Sequence, residues 1–305
     1  MNSPLLSICI PTFNRSQLLE ESLSSMVNQL TNKDLRSSIE IIISDNHSQD
    51  NTPNVVSVYR KKFRSIKYNK NDRNIGIINT IKVAEKATGK YIWFFSDDDW
   101  QKKNSINKII DLLRKYQPDL ILANLDLYSK NGKVNLDANL LRSRNNNFIG
   151  SKKAFFKHLE NKFFLPIDWY MTSYSNTIIS SSLFRAHLKK AYQYFAKGCL
   201  FPHTTFFYYT ELDYKVVVTK ESLIRFRADN RSFGSREKNK FLISWYSTLR
   251  QHYSHIYSFN RKYLTYKFIF LLLVKELTRS LRLKFLLLFG VDISDFLIKY
   301  FYKKN

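Results

Sequence analysis

Three consecutive carboxylates, Asp97, Asp98 and Asp99, follow a run of apolar residues at 91–95. Carboxylates this close repel one another, and burial beside apolar side chains disfavours their charged forms. A divalent cation offsets that repulsion, and clustered oxygen ligands suit Mg²⁺ or Mn²⁺, particularly where a diphosphate completes the coordination. The cluster therefore predicts a metal site. The alternative interpretation is an Asp-rich helix N-terminus, which the helix dipole favours.

Two further polar segments stand directly after apolar runs. The segment 12–15 comes after the run 6–10, and Asp45 and Asn46 come after the β-branched run 39–44. Amphipathic stretches separate the runs, and this alternation predicts an α/β fold that is Rossmann-like, with a mostly parallel sheet and flanking helices. Such sheets bind ligands at the carboxyl ends of their strands. The polar segments are therefore expected to meet at one edge of the sheet.

Residues 74–76 form a fourth polar segment, which precedes another amphipathic stretch. The pattern predicts that this segment opens a helix. Gly89 is placed to end that helix, because glycine adopts the left-handed conformation found at helix C-termini.

The order and spacing of these segments resemble family 2 glycosyltransferases of the GT-A fold. The resemblance covers about the first 125 residues and rests on four motifs, which are SICIPTFNR at 7–15, IIISDNHSQD at 41–50, NIG at 74–76 and SDDD at 96–99. The sequence is similar to bacterial members that build surface polysaccharides, including abequosyltransferase-like enzymes. The resemblance implies transfer, with inversion, from a nucleoside-diphosphate sugar to a hydroxyl of a glycan or lipid-linked acceptor. The polysaccharide is expected to be a capsule, O-antigen or lipooligosaccharide, and the cofactor Mn²⁺ or Mg²⁺.

The resemblance also implies roles for the motif residues. A pocket for the donor nucleotide is expected to be lined by Pro11, Thr12, Asn14, Arg15, Asp45, Asn46, Asn74 and Gly76. Asp97 and Asp98 are expected to contact ribose, sugar or metal, and Asp99 is the first choice as direct metal ligand, with Asp97 beside it. Ser96 stands where the family commonly has the first Asp of Asp-x-Asp-Asp, which leaves the division of labour among the three open.

The acceptor hydroxyl needs a general base, which the family usually supplies from an acidic pair at a helix start. Pro202 and His203 stand at that place here. His203 is the first candidate, because an unperturbed imidazole titrates near neutral pH. Its alternative role is in helix capping or packing. Asp168, which two aromatic residues follow, is the second candidate; Glu211 and Asp213 remain.

A basic segment near the end of this half admits two interpretations. The residues Arg227, Arg231, Ser232 and Ser235 resemble the place where the family often keeps a phosphate-facing loop. The alternative is a solvated basic loop.

The chain divides into three predicted regions: residues 1–125 bind the nucleotide sugar, 126–240 bind the acceptor, and 241–305 form a helical basic region. Residues 261–305 interleave Lys and Arg with Leu, Phe and Tyr, a pattern typical of helices lying on an anionic membrane surface. The alternatives are a packed helical subdomain or a contact in a homo-oligomer. No apolar run reaches the ~20 residues of a membrane span, and no signal peptide is evident. The expected location is therefore cytoplasmic, peripheral on the inner face of the membrane.

The formal net charge of +24 also raises two other hypotheses. A basic nucleic-acid-binding protein would explain the charge, but the acidic cluster and the lack of a compact basic-aromatic module argue against it, so no nucleic acid partner is expected. A metal-dependent nucleotidyltransferase would use a similar sheet and metal. It would consume a triphosphate and a sugar phosphate, and the sequence lacks a P-loop.

Overall fold

The computed structural model describes residues 3–128, 134–138, 146–160, 173–196, 202–208 and 213–227, which all lie in the first compact unit of the chain, Met1–Thr248. The strands are β1 (Leu6–Thr12), β2 (Ile39–Asp45), β3 (Ile66–Lys70), β4 (Tyr91–Phe94), β5 (Trp100–Gln101), β6 (Leu120–Tyr128), β7 (Val134–Ala138), β8 (Phe148–Ser151), β9 (Thr177–Ser180) and β10 (Lys215–Arg227). The helices are α1 (Ser16–Val27), α2 (Lys33–Ser38), α3 (Thr52–Lys62), α4 (Asn79–Glu85), α5 (Ser105–Tyr116), α6 (Lys152–Glu160), α7 (Ser181–Ala196) and α8 (Thr205–Tyr208). Single 3-10 turns cover Gly76–Ile78 and Pro202–Thr204.

These strands form one sheet in the order β3-β2-β1-β4-β9-β6-β10-β5, with β7 beside β6 and β8 beside β10. The predicted α/β class is confirmed, and the first four strands are parallel. The rest of the sheet is mixed, because β9 runs antiparallel to both β4 and β6. Strands buried on both faces are near-continuous apolar runs in sequence, and such a run does not encode its direction.

The carboxyl ends of β1, β2, β4, β6 and β10 all lie at one edge of the sheet. This follows from the pairing, since β6 and β10 are parallel to each other and β9 lies antiparallel between β4 and β6. Strand β9 therefore starts at that same edge, and the residues before it lie near the loop that follows β4. We call this edge the carboxyl edge.

Amphipathic helices bury apolar side chains in the core. Helix α1 buries Leu19, Leu23 and Met26 on one stripe, and α5 buries Ile106, Ile109, Ile110 and Leu113. Spacings of three and four residues place such side chains on one face of a helix, which explains why these segments fold as surface helices. No helix among the described residues has the length and apolar character needed to cross a membrane.

The opposite edge of the sheet is fixed by the buried carboxylate of Glu40 on β2. It accepts hydrogen bonds from Ser7 Oγ (2.6 Å), Thr88 N and Thr88 Oγ1 (both 2.8 Å), and pairs with Lys67 Nζ at 2.6 Å. These contacts join β1, β2, β3 and the turn before β4. The side-chain and backbone bonds hold the register of the strands that carry the polar segments.

Gly89 has a different role from the predicted helix end. Helix α4 ends at Glu85, four residues earlier than Gly89. A Cβ on Gly89 would lie 2.9 Å from the backbone nitrogen of Ser7, a distance that real Cβ atoms do not show. Glycine stands here because the turn passes directly against β1.

Candidate active site

The Asp97–Asp99 segment lies in the loop after β4, at the carboxyl edge. Asp97 is 3% exposed, and its Oδ1 accepts a hydrogen bond from Arg15 Nη1 at 2.9 Å. The same Nη1 lies 3.4 Å from Asp98 Oδ2, while Asp98 Oδ1 accepts from Ser96 Oγ at 2.5 Å. Arg15, at the turn after β1, therefore bridges two of the three carboxylates.

Asp99 is held by hydrogen bonds from other parts of the protein. It is 1% exposed, and its two oxygens accept hydrogen bonds from Ser175 Oγ (2.5 Å) and the backbone nitrogen of Arg227 (3.0 Å). Ser175 Oγ also accepts from Ser96 N at 2.9 Å. One carboxylate thus ties the loop after β4 to the segment before β9 and to the end of β10.

Burial and mutual repulsion disfavour the ionised forms of Asp97 and Asp99. Burial raises the pKa of Asp97 to about 6; the charge of Arg15 opposes this rise, and the charge of Asp98 adds to it. The pKa of Asp99 is also raised, by burial and then by Asp98. An added cation at this place would stabilise the ionised carboxylates.

Asp45 and Tyr68 form the centre of a second polar group at the same edge. Asp45 is fully buried; its Oδ1 accepts from Ser48 N at 2.8 Å and its Oδ2 from the Tyr68 hydroxyl at 2.5 Å. Burial and this bond to a carboxylate raise the pKa of Tyr68. The Asp45 carboxylate is therefore held in one orientation by two donors.

Asn46 connects β2 to the segment before α4. Its Nδ2 donates to Asn74 Oδ1 at 2.6 Å and lies 3.3 Å from Gly76 O, and its Oδ1 accepts from Ile75 N at 2.9 Å. Gly76 has φ +68°, and a Cβ there would meet no atom within 4 Å. Glycine is needed for the backbone conformation, and the space beside it is open.

Asn14 joins the loops that follow β1 and β2. Its φ is +51°, its backbone nitrogen donates to Ser48 Oγ at 2.8 Å, and its Oδ1 accepts from Gln49 N at 2.7 Å. Thr12 pairs with Asp45 in the strand register, and half-buried Pro11 is one residue earlier. The structure therefore brings every predicted residue of the nucleotide pocket to the carboxyl edge.

His203 lies in the turn Pro202–Thr204 and is 3% exposed. Its ring is 5.3 Å from that of Tyr174 and 6.1 Å from that of Phe94, centroid to centroid. Phe94 ends β4 and Tyr174 shortly precedes β9, so His203 is at the carboxyl edge. Asp213 is not, because it stands two residues before β10 and accepts from Lys153 N at the opposite edge.

Of the remaining predicted residues, Arg227 lies beside the Asp97–Asp99 loop, where its Nε donates to the Asp98 carbonyl at 3.2 Å, and the others lie outside the described residues. The guanidinium of Arg227 lies 3.9 Å above the Trp100 ring and pairs with Glu21 at 2.5 Å. Outside the described residues are Asp168, Glu211, Arg231, Ser232, Ser235 and the region 241–305. Within the described ranges, no group of three or more His, Cys, Asp or Glu side chains is arranged to hold a metal ion.

Sequence reasoning missed Ser175 and Tyr68. Both touch a predicted carboxylate, Ser175 from 76 residues away and Tyr68 from 23 residues away. Tyr68 is in a strand that the sequence indicates, but nothing in the pattern pairs its hydroxyl with Asp45. Ser175 has no local signal, because its position depends on β9 entering the sheet antiparallel.

The chain is similar to known glycosyltransferases in sequence. Residues 7–188 match glycosyl transferase family 2. The abequosyltransferase of Salmonella typhimurium is 38% identical over 120 residues, which are 39% of this chain and 35% of that relative. An uncharacterized glycosyltransferase of Methanocaldococcus jannaschii is 27% identical over 303 residues, 97% of this chain and 95% of the relative. A GalNAc(5)-diNAcBac-PP-undecaprenol beta-1,3-glucosyltransferase of Campylobacter jejuni is 41% identical over 98 residues, 32% of this chain and 30% of the relative. The matches to the Salmonella and Campylobacter enzymes thus span about a third of those enzymes.

Solved structures share the fold. The Staphylococcus aureus TarS structure in complex with UDP-GlcNAc matches with a TM-score of 0.57 at 14% identity, covering 85% of this chain and 69% of that one. A mannosyltransferase of Pyrobaculum calidifontis in complex with GDP-Man and Mn²⁺ matches with a TM-score of 0.52 at 12% identity, covering 83% and 64%. The fold is the GT-A fold that the sequence resemblance implies.

Proposed function

The chain belongs to glycosyl transferase family 2, and from that premise we propose that it transfers a sugar from a nucleoside-diphosphate sugar to a hydroxyl of a glycan or lipid-linked acceptor. The acceptor belongs, in this proposal, to a bacterial surface polysaccharide such as a capsule, O-antigen or lipooligosaccharide. The names of the Salmonella and Campylobacter relatives support that class of acceptor. Family membership favours this activity over a nucleotidyltransferase and over a nucleic-acid-binding protein.

One observation carries the proposal. Two polar groups, one centred on Asp45 and one on Asp97 and Asp98, lie at the carboxyl ends of adjacent strands, β2, β1 and β4. Arg15 and Asn14, in the turn after β1, contact one group each. A ligand with a hydrogen-bonding base at one end and a diphosphate at the other fits such a pair of groups, and crevices at this edge bind nucleotides in open α/β sheets.

Among the three carboxylates, Asp98 is the one that we propose for binding of a divalent cation. Its side chain is 13% exposed, against 4% for Asp97, while both oxygens of Asp99 accept hydrogen bonds from within the protein. We therefore place Asp98, with Asp97, ahead of Asp99 as ligand to Mn²⁺ or Mg²⁺. Mg²⁺ is commonly held by one or two carboxylates together with substrate phosphates. When bound, the ion supplies positive charge that stabilises the diphosphate leaving group.

The remaining roles belong to the residues of this chain. Asp45 accepts hydrogen bonds from the base, and Asn46 helps to bind it. Asn74 and Gly76 face the base and ribose, and Pro11, Thr12 and Asn14 shape the pocket floor. His203, which lies beside Phe94 at the same edge, accepts the proton of the acceptor hydroxyl. Attack from the face opposite the diphosphate inverts the anomeric carbon. Asp168 is the second candidate for the base.

The basic region 241–305 supports a location on the inner face of the cytoplasmic membrane. Its cations would contact anionic headgroups, and its apolar side chains would enter the interface. A lipid-linked acceptor would be presented at that surface.

Release of nucleoside diphosphate tests the proposal. The protein would be incubated with Mn²⁺, a bacterial membrane lipid extract and, in turn, UDP-, GDP-, CDP- and dTDP-sugars. We expect release from one base class, with transfer of label to a lipid or glycan product, and loss of both in Asp98→Asn. Arg114→Gln, which removes a surface pair with Asp34, is the control and keeps wild-type turnover. In a parallel incubation with nucleoside triphosphates and sugar phosphates, consumption of a triphosphate, without release from any sugar donor, would favour the nucleotidyltransferase.

A further inference from the structure

We propose that Arg15 is a latch on the site: its guanidinium neutralises Asp97 and Asp98 until the diphosphate of a donor draws it away, so that metal and nucleotide bind cooperatively. The proposal rests on the proposed function, because it assigns to that site the order in which its charges are exchanged. In it, the Arg15 guanidinium competes with the divalent metal for Asp97 and Asp98.

Arg15 contacts both of the carboxylates that we propose as metal ligands, Asp97 and Asp98. One nitrogen, Nη1, reaches Asp97 Oδ1 at 2.9 Å and Asp98 Oδ2 at 3.4 Å. The Arg15 side chain is 23% exposed, so the pair meets solvent on one side. A guanidinium and a divalent cation cannot both occupy the space between these oxygens without strong repulsion.

Arg15 is the more exposed of the two arginines at this loop, with 23% of its side chain exposed against 7% for Arg227. Arg227, the other arginine at the loop, is fixed by the Trp100 ring at 3.9 Å, by Glu21 at 2.5 Å and by the Asp98 carbonyl at 3.2 Å. Arg15 stands at the start of α1 with φ −140°, outside the helical conformation. Its side chain therefore extends from a turn rather than from a packed helix face.

A diphosphate is well suited to draw the Arg15 guanidinium away from the two carboxylates. Guanidinium forks bind phosphate oxygens through two parallel hydrogen bonds, which a carboxylate pair bridged by a single nitrogen does not provide. When Arg15 turns to a diphosphate, Asp98 loses a compensating positive charge. The carboxylates then attract a divalent cation, and the cation in turn contacts the same diphosphate.

The latch predicts that Arg15 has opposite effects on the binding of metal and on the binding of diphosphate. Without nucleotide, Arg15 opposes binding of the metal, and removal of its charge strengthens that binding. Without metal, Arg15 is the principal contact for a diphosphate, and removal of its charge weakens that binding. A residue with only a structural role would weaken both or neither.

Two titrations on the full chain test the latch. Binding of Mn²⁺ alone is measured by the loss of the free-ion electron paramagnetic resonance signal, and binding of pyrophosphate in EDTA by calorimetry. For Arg15→Gln we expect Mn²⁺ binding at least about tenfold tighter and pyrophosphate binding at least about tenfold weaker, from the loss of one unit charge within a few ångström. Arg15→Lys, which keeps the charge, stays close to wild type for Mn²⁺.

Two control variants accompany these titrations. Arg114→Gln changes neither titration, and Asp98→Asn in the Arg15→Gln background removes the gain in Mn²⁺ affinity. Unchanged or weaker Mn²⁺ binding in Arg15→Gln overturns the latch, as does absence of Mn²⁺ binding in both proteins at millimolar concentration. Since neither titration uses a sugar donor, failure of the latch is distinguishable from failure of the proposed transferase activity, which the nucleotide-release assay reports.

Discussion

The carboxylate of Asp99 accepts a hydrogen bond of 2.5 Å from the hydroxyl of Ser175, 76 residues further along the chain. The second oxygen of Asp99 accepts from the backbone of Arg227. The loop that carries Asp97 and Asp98 is thus positioned by a buried neighbour whose own oxygens point inward. The three consecutive carboxylates divide into a pair that faces the site and one that holds the loop.

Ser175→Ala tests this division. The change leaves a buried Asp99 oxygen and the Ser96 backbone nitrogen without their shared partner. We expect the unfolding free energy to fall by about 1–3 kcal/mol, which lowers Tm by about 2–10 °C for a domain of this size. Ser182→Ala, at an exposed serine on α7, is the matched control and leaves Tm within about 1 °C. Equal Tm values for the two variants would contradict a structural role for the hydrogen bond between Ser175 and Asp99.

Tyr68→Phe tests the orientation of Asp45. Without the phenolic donor, Asp45 loses one of its two fixed bonds, and we expect nucleoside-diphosphate binding to weaken by about fivefold to tenfold, or about 1 kcal/mol. Pyrophosphate binding, which does not involve the base, stays unchanged in calorimetry. Tyr116→Phe, on α5 far from the carboxyl edge, is the control. A loss of pyrophosphate binding equal to the loss of nucleotide binding would contradict a role at the base.

His203→Phe separates proton transfer from packing. A phenyl ring replaces the imidazole beside Tyr174 and Phe94 but accepts no proton. We expect turnover to fall at least about a hundredfold, as for loss of a general base, while donor affinity measured by calorimetry stays within about twofold. Near-normal turnover would assign His203 to packing alone, and Asp168→Asn would then be the next variant to measure.

The pH dependence of stability tests the burial of Asp97. Because burial raises its folded pKa to about 6, above the unfolded value, the folded state holds the extra proton between about pH 4 and 6. Stability from this group is therefore present at low pH and lost as pH rises through that window. We expect the wild-type unfolding free energy, relative to Asp97→Asn, to fall by about 2 kcal/mol between pH 4.5 and 7. Urea unfolding at the two pH values measures it.

The stability contribution of Glu40 should change with pH in the opposite direction to that of Asp97. The pKa of Glu40 is lowered, since hydrogen bonds from Lys67, Ser7 and Thr88 outweigh the burial that would raise it. Its contribution is present above the unfolded pKa and is lost as pH falls through the folded value. Relative to Glu40→Gln, the wild type should therefore gain stability with rising pH. The same sign for Glu40 and Asp97 would contradict the charge environment described for both.

Local patterns in the sequence predict the first part of the fold, over about residues 1–125. β1, β2 and β4 are apolar runs, each followed closely by polar residues, so the amino-acid pattern alone places Asp45 and Asp97–Asp99 at strand ends. Patterns do not supply contacts that depend on distant pairing. Ser175 reaches Asp99 only because β9 is antiparallel, and Gly89 is required only because its turn lies against Ser7. The part after residue 125 has weaker periodicity, and its strands add to the sheet out of sequence order.

A metal-assisted donor site at the carboxyl edge is tested most sharply by calorimetric titration of UDP, GDP, CDP and dTDP into wild type and Asp98→Asn, with Mn²⁺ and in EDTA. We predict that one nucleotide binds the wild type in Mn²⁺, and that binding weakens at least about tenfold in EDTA and in Asp98→Asn. Failure of all four nucleotides to bind, or equal binding by wild type and Asp98→Asn, would contradict such a site.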